Sequence, residues 1–228
     1  MGSQMPLPPA FKTDESFLEN LAMGAAANQR TLADLERQGH QPLELERGSM
    51  SFKVWKTKKM KRLRVPDILC LRCAHRVESR GKRKLEITMS HSKRQAARGW
   101  DAGLDDEDVI ALVACERFGP RPIDWHASEL VQYVLVRPLR DAFHANQVSV
   151  QKPKGEGEGF EVRVTWPAAV AEEDGIVESV DVGALVYQKE GGGRKRLRLI
   201  RKGGTLVPVV AAGETVRKHQ ILAAVVPA

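Results

Sequence analysis

Asp67 and Glu78 stand in a heavily cationic stretch, and with Arg80 and Lys82 they form a grouping whose residue types suit chemistry. Residues 53–98 hold sixteen Lys and Arg against three acids, Asp67, Glu78 and Glu86, a local net charge of +13. A field that positive attracts phosphate, so carboxylates kept inside it call for a reason. Two carboxylates with cations beside them can hold a hard divalent cation through oxygen, and phosphate and water then complete its shell. An ion held in this way orients an attacking water or neutralises charge that develops on a phosphate.

Those side chains need a scaffold, and the stretch around them has a strand–turn–strand pattern. Residues 63–71 are β-branched and apolar, 72–76 are polar and turn-like, and 77–89 alternate again. Residues two apart on a strand share a face, so Glu78, Arg80 and Lys82 are expected on one face of the second strand. Asp67 lies on the first strand, which should pair with it. Glu86 has the same parity as Glu78, but Ile87 and Thr88 follow it with no cation two positions on, which makes it the poorer ligand.

At these residues the chain resembles the PD-(D/E)xK nuclease superfamily, the restriction-endonuclease-like fold. Pro66-Asp67 matches the first half of its motif, and Glu78-Ser79-Arg80 stands where Glu-x-Lys is expected. The departure is Arg80 for Lys. Guanidinium is a poor proton shuttle, and Lys82 on the same face would stand in for it. The resemblance spans roughly residues 10–150. It implies an α/β fold, a mixed sheet with flanking helices, and Mg²⁺- or Mn²⁺-dependent cleavage of DNA with Asp67 and Glu78 as metal ligands. A helix ahead of the motif strands often adds an acid in that superfamily, which makes Glu19 a third candidate.

The elements around the motif follow from periodicity and punctuation. Thr13 or Asp14 can cap a helix running to about Gln38, with Gly39 as its stop and Leu21, Ala25, Leu32 and Leu35 on an apolar stripe. Residues 39–51 read as a loop. Lys56, Lys58, Lys59, Lys61, Arg62 and Arg64 form a run able to follow a phosphate backbone, displacing counterions as it binds. Residues 109–115 carry no charge and suit a strand buried on both faces. Ser128 can cap a helix over 129–146, kinked at Pro138.

Cys70-x-x-Cys73, with His75 close by, is half of a zinc knuckle. Cys115, His91 and His126 are scattered and offer no second closely spaced pair, which argues against zinc.

Residues 151–160 are Gly-, Glu- and Lys-rich and read as a linker. The expected organisation is a lead-in over 1–10, a nuclease-like domain over 11–150, the linker, and a small all-β domain over 161–228. Within that last part, Gly213 to Leu222 resembles the turn of biotinyl/lipoyl-type barrel-sandwich domains, with His219 in place of the usual Gly. No Met-Lys-Met or Asp-Lys-Ala modification tip lies between it and the similar segment 174–183; residues 190–196 stand there instead. The resemblance therefore implies a module for targeting or assembly rather than a carrier of biotin or lipoate.

Composition bounds the remaining classes. The chain has 228 residues with a net charge of +7, and its positive charge is concentrated in one segment, which favours a nucleic-acid partner. Three cysteines do not make a disulfide framework and fit a reducing compartment. No apolar run approaches bilayer length, and no signal-peptide pattern opens the chain, so a cytoplasmic protein without a membrane partner is expected. Paired-strand cleavage would suit a homodimer. A non-enzymatic nucleic-acid-binding or polymerase-associated protein, or a scaffold component of a larger complex, remains as the alternative.

Overall fold

Strand β5 (Val109–Arg117) is the centre of the molecule, and its lack of charge explains why. Its residues from Ile110 to Cys115 are buried, and they alternate between two cores as the pleat requires. Ala111, Val113 and Cys115 join Ile68, Val77 and Ala27 in one cluster. Ile110, Leu112 and Ala114 join Trp100, Leu139, Val164 and Trp166 in another. The computed structural model describes residues 14–45, 66–93, 96–151, 161–201 and 204–225.

Around β5 is a five-stranded sheet in the order β1 (Pro42–Glu44), β2 (Ile68–Cys70), β3 (Arg76–Lys82), β5 and β6 (Trp125–Leu135). Only β3 and β5 run parallel; the other neighbours are antiparallel. Helix α1 (Asp14–Arg37) covers one face of this sheet. It ends where the sequence predicts, with Gly39 in the left-handed region at φ 82°. Tyr133 Oη on β6 donates to the buried Asp34 carboxylate at 2.8 Å, which ties the helix to the far side of the sheet.

Against the opposite face lie α2 (Val136–His144) and a three-stranded sheet of β4 (Ile87–Ser92), β8 (Glu161–Trp166) and β7 (Ser149–Gln151). The indole of Trp166 donates to Leu139 O at 2.8 Å and packs edge-on against Trp100. Beyond β8 the chain forms short strands. Of these, β10 (Gly175–Val180), β11 (Ala184–Lys189) and β12 (Arg194–Arg198) make an antiparallel sheet, and β9 (Ala168–Val170) pairs with the strand Ile221–Ala224. His219 has φ 72°, the left-handed conformation for which a glycine is best suited.

The expected α/β fold of a mixed sheet with flanking helices is corrected. Among the described residues the protein is mostly β, with 46% strand, 19% helix in two helices, and several small separate sheets. The largest single cause is the segment expected to form a helix over 129–146. It continues as β6 to Leu135, because Val131 to Leu135 pair with Val113 to Val109 of β5. Helix starts only at Val136, where Pro138 falls in the first turn and its missing N–H costs no internal hydrogen bond. Ser128 is no cap; its hydroxyl donates to Leu130 O at 3.0 Å.

The strand expected over 77–89 is also two strands in different sheets. β3 ends at Lys82, and β4 starts at Ile87 and pairs with β8. Glu86 therefore does not share a strand with Glu78. It lies just ahead of β4, 3.5 Å from the Lys84 ammonium.

Candidate functional site

Strand β2 is too short to cover β3. The two pair only through Ile68 with Val77 and Leu69 with Arg76. Past that point a side chain replaces the ladder, and Asp67 Oδ2 accepts the Ser79 N–H at 2.9 Å. The backbone oxygen of Asp67 accepts from Leu45 N–H at 2.8 Å, which holds the end of β1 alongside. Among the described residues, no strand pairs with this edge of β3 from Glu78 to Lys82.

Between that open edge and α1 is a cavity of about 570 Å³ whose walls include Asn20, Asn28, Glu44, Asp67, Glu78 and Arg80. Asp67 and Glu78, chosen from the sequence, thus reach one cavity together with Arg80. Glu44 was not foreseen. It lies on β1, where residues 39–51 had read as loop, and Asn28 Nδ2 donates to its Oε1 at 2.7 Å. A three-residue strand carries too little alternation to be recognised from sequence.

The charges in this cavity are partly paired. Arg80 Nη2 is 2.8 Å from Glu78 Oε1. Arg80 Nε is buried and has no hydrogen-bond partner among the described residues, a cost of about 1–3 kcal/mol where nothing compensates. Asp67, Glu78 and Glu44 do not converge as a closed trio. Among the described residues, the group of three or more His, Cys, Asp and Glu whose ligand atoms lie within 4.8 Å of one another is His40, Cys70 and Cys73.

The other sequence candidates lie elsewhere. Lys82 is not on the cavity wall; its ammonium donates to Thr88 O, toward β4. Burial first, then repulsion from Arg80 and Arg163, brings its pKa down to about 8. Glu19 does not join the two carboxylates either. It pairs with Arg83 at 2.7 Å and with Arg117. The hydrogen bond from Arg83 outweighs the effect of burial and, with that from Arg117, holds the Glu19 carboxyl below its ordinary range. Lys56, Lys58, Lys59, Lys61, Arg62 and Arg64 lie outside the described residues.

No helix among the described residues is long and apolar enough to cross a membrane. Comparison of the chain with protein-family models, with curated proteins and with solved structures finds no match.

Proposed function

We propose that the cavity between α1 and β3 is a divalent-cation site for hydrolysis of phosphodiesters in nucleic acid, with Asp67 and Glu78 as the protein ligands. One observation carries this reading. Two carboxylates of a strongly cationic segment line a single cavity beside Arg80, where β3 extends past its pairing with β2. The reading rests on this site and not on a nuclease fold.

An all-oxygen donor set suits Mg²⁺ or Mn²⁺. Bound there, the ion would supply a Lewis acid for the phosphate and a more acidic water. The chain's own groups have separate tasks. The Ser79 N–H fixes Asp67 Oδ2 and so orients this carboxylate. Arg80 holds Glu78 in place and presents a permanent positive charge to a phosphate. It cannot accept the proton of an attacking water, so that proton leaves through solvent or the substrate. The cationic run from Lys56 to Arg64 would grip the nucleic-acid backbone, DNA being the leading substrate. The C-terminal β module would serve targeting or assembly, with a second copy or another protein as its partner.

A second reading is favoured by the Glu78–Arg80 contact at 2.8 Å. In a non-enzymatic nucleic-acid-binding protein that carboxylate would only orient the guanidinium toward phosphate. Incubation of plasmid and linear DNA with Mg²⁺ or Mn²⁺, against EDTA, separates the two. Metal-dependent cleavage that falls to background in Asp67→Ala, with DNA still bound, supports hydrolysis. A salt-sensitive gel shift without cleavage, unchanged in Asp67→Ala and weakened by Lys58→Ala, Lys59→Ala and Arg62→Ala together, overturns hydrolysis in favour of binding alone.

A further inference from the structure

His40, Cys70 and Cys73 come from two separate places in the chain and meet at one point. His40 follows the C-terminal end of α1, after the left-handed Gly39, and its N–H donates to Leu35 O at 3.0 Å. Cys70 is the last residue of β2, and Cys73 lies in the turn between β2 and β3. Four hydrogen bonds that use none of the three side chains hold this arrangement. Cys70 N–H donates to His75 O at 2.9 Å, Ala74 N–H to Cys70 O at 2.8 Å and Leu71 N–H to Gln41 O at 2.8 Å. Arg72 Nη1 donates to Gly39 O at 2.8 Å. Ala74 takes φ 60°, a left-handed backbone that lets the turn close over two thiols.

His40 Nδ1 lies 3.5 Å from Cys70 Sγ and 3.7 Å from Cys73 Sγ. A tetrahedral zinc ion with Zn–S near 2.3 Å and Zn–N near 2.05 Å has N···S edges of about 3.6 Å. Both observed separations match that edge. Hydrogen bonding accounts for only half of the geometry, because Nδ1 carries either one proton or one lone pair and can serve one sulfur, not two.

We propose that His40 Nδ1, Cys70 Sγ and Cys73 Sγ bind one Zn²⁺, which clips the C-terminal end of α1 to the β2–β3 turn. Two thiolates neutralise the ion, and their two protons go to solvent on binding. Water would complete the four-coordinate shell, since Cys73 is exposed to solvent. Spacing alone disfavours zinc because no second closely spaced Cys or His pair follows Cys70 and Cys73. The fold supplies a histidine thirty residues before Cys70. This site is chemically distinct from the carboxylate cavity, because thiolate and imidazole select zinc where carboxylates select Mg²⁺ or Mn²⁺. It stands or falls independently of the hydrolysis reading.

The test is titration of the full, reduced chain with Co²⁺, followed through thiolate-to-cobalt charge transfer and the d–d bands. One equivalent bound with the strong d–d absorption of a tetrahedral site, and displaced by Zn²⁺, is expected. Cys73→Ser and His40→Ala should each weaken binding by roughly 100-fold, and Cys115→Ser should leave it unchanged. Cys73 is exposed and His40 only half-buried, so both variants should keep the wild-type circular dichroism. Absence of the thiolate band, or bands that survive both variants, overturns the site. A Cys70–Cys73 disulfide whose reduction restores no metal binding does so as well.

Discussion

Lys82 shows how one residue can be read correctly for position and wrongly for surroundings. Its parity with Glu78 and Arg80 holds, since all three alternate with Val77, Ser79 and Gly81 along β3. Its ammonium is nevertheless turned to Thr88 O in a partly desolvated place. A lysine whose pKa falls from 10.5 to about 8 on folding binds fewer protons folded than unfolded between those values. Stability should therefore rise with pH from about 8 to 10.5, and the full cost, roughly 3 kcal/mol, is present below pH 8. Lys82→Met is expected to be more stable than the wild type at pH 7 by about 1–2 kcal/mol, the relief less one lost hydrogen bond. That advantage should shrink toward pH 10.5. Urea titrations of both proteins at pH 7 and pH 10 check the sign, and a variant less stable at pH 7 would contradict it.

At the scale of elements, α1 comes close to β3 at Gly81. A Cβ on Gly81 would lie 2.9 Å from Met23 O, 3.1 Å from Met23 Cγ and 3.3 Å from Ala27 Cβ. The first of these is backbone and cannot turn aside. Gly81→Ala is expected to lift the helix and cost about 1–3 kcal/mol. Gly24, on the same helix and on the cavity wall, is the opposite case, with nothing within 4 Å of a Cβ. Gly24→Ala should stabilise by about 0.5–1 kcal/mol, the usual helix-interior difference. Chemical denaturation midpoints for the pair should move in opposite directions; a shift of both the same way would show that α1 does not sit as described.

Across the whole molecule, the strand Ile221–Ala224 joins two cores. Ile221 and Ala224 belong to the cluster containing Trp100, Leu139 and Trp166, while Leu222 and Ala223 belong to the one containing Val177, Leu185 and Tyr187. Strand β8, beyond the glycine-rich segment, pairs with β4 from well before it. Both connections should make unfolding cooperative from end to end. Trp166→Ala is expected to cost about 3–5 kcal/mol and to shift the far-ultraviolet circular dichroism transition as a whole. A chain ending at Gln151 would leave Leu112, Leu139 and Trp100 without their cover and should lack a cooperative transition. Two separate transitions in the intact protein would show that the cores are independent.

Local pattern determined several features without help. The helix from Asp14 with its glycine stop, the charge-free buried strand at 109–115, and the common cavity lined by Asp67 and Glu78 follow from periodicity, a turn signal or a strand–turn–strand pattern. Each depends on residues near in sequence, or on burial so complete that composition reports it. Only the tertiary structure decided the rest. Residues 129–135 became strand because β5 offered them a ladder, and the run expected over 77–89 broke because its second half pairs with β8 instead. Glu44 reached the carboxylate cavity and His40 reached Cys70 and Cys73 through chain folding alone. Sequence spacing carries no information about residues brought together across twenty or more positions. Long-range pairing of backbone and side chains sets those neighbours.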